Sequence, residues 1–90
     1  MSYHIETGRS AQRELDHLNA KTYEAVALVI SSLSEQPRPH GAKKLTDGSN
    51  LWRVRVGRLR VVYSIDDKAQ NVTVVRVARR SEHSYKGLRN

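Results

Sequence analysis

The sequence contains no cysteine and no phenylalanine, and its aromatic residues are one tryptophan and four tyrosines. Without cysteine there can be no disulfide framework, no thiolate metal site and no cysteine nucleophile, which fits a reducing compartment. The apolar runs are far shorter than the roughly 18 residues that a membrane-spanning helix requires. Met1 leads into polar sequence rather than a signal peptide. We therefore expect a soluble cytoplasmic protein with no membrane partner.

Acidic residues are scarce in the second part of the chain. Residues 38–90 hold thirteen basic and four acidic residues, whereas residues 1–37 hold three basic and five acidic ones, and the formal net charge is +7. A basic surface on a small domain attracts polyanions, most commonly nucleic acid, although such charge also serves solubility. At 90 residues the chain is long enough for one domain, 1–90, with a modest core.

Several enzyme motifs are missing as well. The sequence has no G-x-S-x-G nucleophile elbow and no glycine-rich phosphate loop. Its four histidines, at positions 4, 17, 40 and 83, include no pair at metal-ligand spacing. Asp66 and Asp67 could bind a divalent ion, but adjacent carboxylates between two strands more often form a turn. We therefore expect neither a metal nor a cofactor.

Residues 52–63 consist of two alternations of apolar and basic residues on either side of Gly57-Arg58. This pattern predicts two strands joined by a two-residue loop, and glycine at its first position predicts a type II′ turn. The turn sets the register of the predicted cross-strand partners: Val56 with Leu59, Arg55 with Arg60, Val54 with Val61, Arg53 with Val62, and Trp52 with Tyr63. Because side chains alternate with a period of two, one face is apolar and the other carries Arg53, Arg55 and Arg60.

The remaining pattern predicts a first strand over Ser2–Glu6, helices over Ser10–Leu18 and Tyr23–Glu35, and a last strand over Asn71–Ala78. In the second helix an apolar stripe is predicted at Tyr23, Val26, Val29 or Ile30, and Leu33, widened by Ala27 and Leu28. Pro37 and Pro39 end that helix, and residues 39–45 are interpreted as a linker. The element order β-α-α-β-β-β predicts an α+β domain. Its helical hairpin covers one face of a small, mainly antiparallel sheet, and the other face stays open.

The open face and the C-terminal tail carry the candidate chemistry. Arg55 directly opposite Arg60 is unfavourable unless an anion binds there, although arginine is also common on solvated sheet faces. The tail adds Arg79-Arg80, His83 and Tyr85. Guanidinium, imidazole and phenol groups suffice to cut RNA through its own 2′-OH. Arginine stabilises charge but is no general base, whereas His83 can be an acid or base and Tyr85 can stack or donate a proton.

These residues resemble the RelE/ParE toxin superfamily, on its RelE side. The resemblance rests on Lys43-Lys44-Leu45, on residues 52–63, on Val74–Arg80 and on Tyr85, and it covers nearly the whole chain. It implies the RelE-like microbial RNase fold and a toxin of a type II toxin–antitoxin system. Such toxins are metal-independent endoribonucleases that enter the ribosomal A site, cut mRNA by 2′-OH attack and inhibit translation. The implied partners are a cognate antitoxin, in a hetero-oligomer, and the 70S ribosome with its mRNA and 16S rRNA.

The resemblance also assigns roles to individual residues. It implies catalytic roles for Arg53, Arg55, Arg60, Arg80 and Tyr85, with Arg79 replacing Arg80 if the tail is shifted by one. Apart from the resemblance, Lys43, Lys44, Arg58 and Arg79 are candidates for RNA contacts, although Lys43-Lys44 is most simply a solvated basic pair. The family's best-studied arrangement has lysine where this chain has Arg53 and Arg55, so a lysine base is missing and His83 is the expected substitute.

Two alternatives remain open on the sequence alone. One is a ParE-like inhibitor of DNA gyrase without nuclease activity, and the other is a simple nucleic-acid-binding module, which would bind in a salt-sensitive way without cutting. The combination of Arg80, His83 and Tyr85 with three hairpin arginines favours cleavage.

Overall fold

The computed structural model describes residues 2–45 and 50–79, and it has the predicted α+β architecture. The elements are β1 (His4–Thr7), α1 (Arg9–Asp16), α2 (Ala20–Ser32), β2 (Lys43–Lys44), β3 (Leu51–Val56), β4 (Leu59–Asp66) and β5 (Asn71–Arg79). They form one five-stranded sheet in the order β1-β5-β4-β3-β2. The pairing of β1 with β5 is parallel, and the other three pairings are antiparallel. Neither described helix has the length and apolar character needed to span a membrane.

The β3–β4 hairpin has the predicted register at every position, from Val56 opposite Leu59 to Trp52 opposite Tyr63. Gly57 has φ 60°, whereas Arg58 has a negative φ. This combination is that of a type II′ turn, in which only the first central residue takes a positive φ. The turn prediction and the assignment of the two faces are therefore confirmed.

The core lies between the helices and the apolar face of the sheet, as predicted. Tyr63 and Val61 are fully buried, and Trp52 and Val56 pack against the same cluster. The buried cluster consists of Ala11, Leu15, Val26, Ile30, Leu33, Val54, Leu59, Val61, Tyr63, Ile65, Val72, Val74 and Val77. At roughly 25 cal/mol for each Å² of apolar surface removed from water, this layer is the main source of stability.

The helices begin earlier than the sequence predicted. α1 starts at Arg9 rather than Ser10, with Gly8 as its N-cap. α2 starts at Ala20 rather than Tyr23, and the side chain of its N-cap Asn19 accepts a hydrogen bond from the Thr22 N–H at 2.8 Å. The prediction that Tyr23 and Leu28 extend the buried stripe was wrong, because they are 44% and 66% exposed. Leu28 lies two positions from Val26, roughly 200° around the helix and therefore on its opposite side.

Residues 39–45 are not merely a linker. Lys43–Lys44 form a short strand against β3, with Lys43 opposite Arg53 and Lys44 opposite Trp52. The Leu45 N–H donates to the Leu51 carbonyl at 2.9 Å, which extends this pairing. The sheet therefore has one strand more than predicted, and Lys43 becomes a member of it.

The segment between α2 and β2 is held at two points. The buried hydroxyl of Tyr63 donates to the Pro37 carbonyl at 2.7 Å, and burial raises the pKa of Tyr63 to about 12. Arg38 donates to both carboxylate oxygens of Asp67, at 3.3 and 2.8 Å, and its guanidinium carbon lies 5.1 Å from the centre of the Trp52 ring. These contacts fix the chain immediately before it enters the sheet.

Candidate nucleic-acid interface

The sheet face opposite the helices carries the predicted hairpin arginines, and we call it the Arg face. Arg55 on β3 lies directly opposite Arg60 on β4, and Lys43 on β2 lies directly opposite Arg53. Cross-strand partners have Cβ atoms about 4.5–5.5 Å apart and point to the same side. Three adjacent strands therefore place four cationic residues on one surface.

The Arg face has an apolar floor. Val62 lies on this face, between Arg53 of β3 and Arg76 of β5 in the register, and it is fully buried although it does not belong to the core cluster. Arg53 and Arg60 are half-buried, whereas Arg55 is exposed. Partly buried guanidinium groups interact more strongly with an anion than fully solvated ones, because less water screens them. Their planar forks also match the oxygens of a phosphate.

Three of the predicted contact residues lie elsewhere. Lys44 is opposite Trp52 and Arg79 is opposite Leu59, so both belong to the face that the helices cover. Arg58 is exposed at the hairpin turn, between the two faces. Strand alternation sends every second side chain to the other side of the sheet, and this separates Lys44 and Arg79 from the hairpin arginines. Only Lys43 joins the Arg face.

The tail residues Arg80, His83 and Tyr85 lie outside the described residues. Their roles stay predictions. β5 ends at Arg79, which directly precedes these residues in the sequence.

A contact that the sequence did not predict joins α1 to the outer edge of β5. The Glu14 carboxylate accepts hydrogen bonds from Arg76 Nε at 3.0 Å and Nη2 at 2.9 Å, and from the Val77 N–H at 2.7 Å. β1 pairs with β5 only as far as Val74, so the edge beyond it would otherwise be open. The sequence offered no signal for this contact, because the partners are more than sixty positions apart.

Asp66 and Asp67 have the turn role that the sequence favoured. Asp66 Oδ1 accepts from the Ala69 N–H at 3.0 Å, and Asp67 accepts from Arg38 and from the Tyr3 hydroxyl, the latter at 2.7 Å. The hydrogen bond from Arg38, followed by that from Tyr3, lowers the pKa of Asp67. Within residues 2–45 and 50–79, no three histidine, aspartate or glutamate side chains are grouped so that they could hold a metal ion.

Comparison with known proteins gives consistent matches over most of the chain. The family model described as the ParE toxin of the type II toxin–antitoxin system parDE matches residues 5–83. The toxin RelE of Mycobacterium tuberculosis is 36% identical over 80 residues, which cover 88% of this chain and 82% of that protein.

Solved structures match the fold as well. The toxin–antitoxin complex RelBE2 from Mycobacterium tuberculosis matches with a TM-score of 0.79 and 28% identity, over 89% of this chain and all of the matched chain. The archaeal RelE–RelB complex from Pyrococcus horikoshii matches with a TM-score of 0.80 and 24% identity, over 91% and 99% of the two chains. The second likeness supports the fold alone.

Proposed function

The chain belongs to the RelE/ParE family of toxins of type II toxin–antitoxin systems, and we propose that it is a ribosome-dependent, metal-independent endoribonuclease that cleaves mRNA in the ribosomal A site. The observation that carries this proposal is the pairing of Arg55 with Arg60 beside the pairing of Lys43 with Arg53. Cations directly opposite one another repel, and a bound phosphodiester removes that repulsion. The Arg face is therefore suited to a backbone phosphate and its neighbour.

The chemistry that this surface can perform is transfer of the phosphodiester to the adjacent ribose 2′-OH. The 2′ oxygen forms a new bond to phosphorus, the bond to the 5′ oxygen of the next nucleotide breaks, and the products are a cyclic phosphate and a 5′-hydroxyl. The guanidinium groups of Arg53, Arg55 and Arg60 would hold the substrate in line and neutralise the charge that develops on the equatorial oxygens. They stay protonated, so they do not move the protons.

The proton transfers are assigned to the tail. His83 is the candidate base for the 2′-OH or acid for the leaving 5′ oxygen, because an imidazole titrates near neutral pH. Tyr85 is the candidate for stacking on a base or donating a proton, and Arg80 adds a further positive charge. These roles come from the resemblance to RelE toxins and from the side-chain chemistry.

The proposed partners follow from the family. The matched complexes from Mycobacterium tuberculosis and Pyrococcus horikoshii contain RelE with the antitoxin RelB. We infer a cognate antitoxin for this chain, and the 70S ribosome with its mRNA as the target. Lys43 and the exposed Arg58 are the candidates for contacts with the RNA backbone outside the cleavage point.

Mapping mRNA ends by primer extension after brief induction tests the proposal. Cleavage is expected within translated codons of a message, and a matched message without a start codon should stay intact. Arg60→Ala and Arg80→Ala should abolish both cleavage and growth arrest while the circular dichroism spectrum is unchanged. Full toxicity of both variants would refute the assignment. His83→Gln should slow single-turnover cleavage and keep ribosome binding, whereas an unchanged rate would remove His83 from the mechanism.

The alternative is inhibition of DNA gyrase, which the ParE description of the matching family model favours. On that alternative, induction would leave messages uncut and would block supercoiling by purified gyrase. The same induced culture distinguishes the two functions, because the nuclease stops translation first and leaves gyrase active.

A further inference from the structure

A second basic surface lies on the opposite side of the β3–β4 hairpin from the Arg face. Two cavities of 510 and 540 Å³ adjoin there, and they share His17, Leu18, Leu59 and Arg79. Together they form a groove from the α1–α2 turn to the hairpin turn and along the end of β5, which we call the tip groove. Its position follows from the register, because Arg79 is opposite Leu59 and both face the helices.

The floor of the tip groove is aliphatic. It is formed by Leu18 and Ala25 of the helical hairpin and by Val56 and Leu59 of the β-hairpin. Leu18 and Val56 are half-buried and pack against the core, while Ala25 is exposed. Among the described residues that line the two cavities there is no phenylalanine, tyrosine or tryptophan, and His17 is the one ring side chain. Such a floor gains free energy by covering apolar surface.

The rim of the tip groove is basic. Arg13, Lys21, Arg58 and Arg79 line it and are exposed. The one acidic side chain among the described lining residues is Glu14, which is already bonded to Arg76 and to the Val77 N–H. The groove therefore presents a positive rim around an apolar floor.

We propose that the tip groove binds an acidic amphipathic segment of the antitoxin. This inference rests on the antitoxin partner proposed above and adds the surface that receives it. A segment with aliphatic side chains on one face and carboxylates on its borders matches both the floor and the rim. Single-stranded RNA matches less well, because it gains its affinity by stacking bases on aromatic side chains. The Arg face lies on the other side of the same hairpin, so a segment in the tip groove leaves it uncovered.

The test uses the full chain and a fluorescein-labelled peptide with leucine at every third or fourth position and glutamate at the positions between. Ala25→Glu places a carboxylate on the floor, and Lys21→Glu reverses a rim charge; both positions are exposed on α2. Ser31→Glu introduces the same side chain at an exposed position of α2 outside the groove, and Lys68→Glu makes the same charge reversal in the β4–β5 turn. Fluorescence anisotropy gives the peptide affinity, and circular dichroism checks the fold.

The peptide should bind, and each groove variant should weaken binding more than about tenfold, because a carboxylate placed in the groove repels the glutamates of the peptide. Ser31→Glu and Lys68→Glu should change it less than about twofold, which is the size of a solvated surface charge. No peptide binding, or equal affinity for all four variants, would overturn the proposal. Loss of binding of an RNA oligonucleotide in the groove variants, with no peptide binding by the parent chain, would assign the groove to RNA instead.

The test of the tip groove can fail or succeed independently of the test of the proposed nuclease activity. Ala25 and Lys21 lie outside the Arg face, so both groove variants should keep the mRNA cleavage of the parent chain. If messages stay intact on induction while the peptide results hold, the nuclease proposal fails and the tip groove stands. If cleavage is seen and the groove variants bind the peptide as the parent does, the tip-groove proposal fails alone.

Discussion

Glu14 accepts a hydrogen bond from the backbone N–H of Val77 at 2.7 Å, and this bond closes the edge of β5 beyond the end of β1. The same carboxylate holds the guanidinium of Arg76. Glu14→Ala removes the four hydrogen bonds that this carboxylate accepts from Arg76 and Val77, and it leaves a partly buried N–H without its acceptor. We expect it to lower the free energy of unfolding by about 2 kcal/mol, measured by urea denaturation.

Two control variants sharpen this prediction. Arg76→Ala should cost less than Glu14→Ala, because Glu14 still caps Val77 in that variant. Asp16→Ala removes an exposed carboxylate of the same helix whose described bond is to Gln12, and it should change stability by less than about 0.5 kcal/mol. An equal loss in the Asp16 and Glu14 variants would contradict the role assigned to the Val77 contact.

The pairing of Arg55 with Arg60 predicts opposite effects on stability and activity. Arg55→Thr removes the repulsion between the two cations and introduces a good strand former. We expect the free energy of unfolding to rise by a few tenths of a kcal/mol. RNA binding should weaken, with the salt dependence of the binding constant decreasing by about one phosphate contact. Lys68→Thr serves as the charge-matched control, and a decrease in stability with unchanged RNA binding would contradict the prediction.

The buried hydroxyl of Tyr63 predicts a loss of stability in alkali. Burial raises its pKa from 10.0 to about 12, so the neutral phenol is favoured in the folded state. The resulting stabilisation is complete below the unfolded pKa and is lost as the pH rises through the folded one. Tyr63→Phe should cost about 2 kcal/mol at neutral pH, because it leaves the carbonyl of buried Pro37 without a donor.

Alkaline difference spectroscopy measures the ionisation of the Tyr63 phenol directly. The wild-type chain should show a tyrosine component that ionises near pH 12, and Tyr63→Phe should lack it. Tyr23→Phe, which changes an exposed tyrosine, is the control. The hydrogen bond to Asp67 also raises the pKa of Tyr3, so persistence of the high component in a chain carrying both Tyr3→Phe and Tyr63→Phe would disprove the assignment.

The positive φ of Gly57 should make the hairpin turn sensitive to substitution at this position. A Cβ at this position would meet no heavy atom within 4 Å, so any cost of substitution comes from φ 60° alone. Gly57→Ala should destabilise the protein by about 1 kcal/mol, and Gly57→Asn by less, because asparagine tolerates positive φ better. Thermal unfolding of both variants checks the order, and a neutral Gly57→Ala would contradict it.

Local pattern was sufficient for the hairpin but not for the rest of the sheet. The register of residues 51–64 follows from alternation and one glycine, both of which are visible in the sequence. The strand Lys43–Lys44 has no apolar alternation, so it is recognisable only once β3 offers its edge. A bulge at Val75 changes the register of β4 against β5, so that Val62 lies opposite Arg76 whereas Tyr63 lies opposite Val74. The bulge depends on how the two strands pair, and the local sequence gives no signal for it.

The candidate site could be predicted only in part, because some of its residues are placed by strand pairing between distant parts of the chain. Arg53, Arg55 and Arg60 were assigned to one face because the turn fixed their alternation, whereas the side that Arg79 occupies depends on the pairing of β5 with β4. Lys43 joins Arg53 through β2, which the sequence did not predict. The hydrogen bond from the Thr22 N–H to the side chain of Asn19 could have been predicted, since asparagine is a favoured N-cap residue.

The place of β5 between β1 and β4 has a consequence for synthesis. The first strand has its sheet partner only in residues 71–74, and the apolar side of α1 packs largely against β5. A nascent chain must therefore expose these surfaces until the last strand has left the ribosomal tunnel. Because the paired residues are far apart in sequence, we expect this closure to be slow. A polypeptide released before Asn71 would carry the hairpin arginines on an unfinished sheet and would leave the apolar side of α1 without its main packing partner.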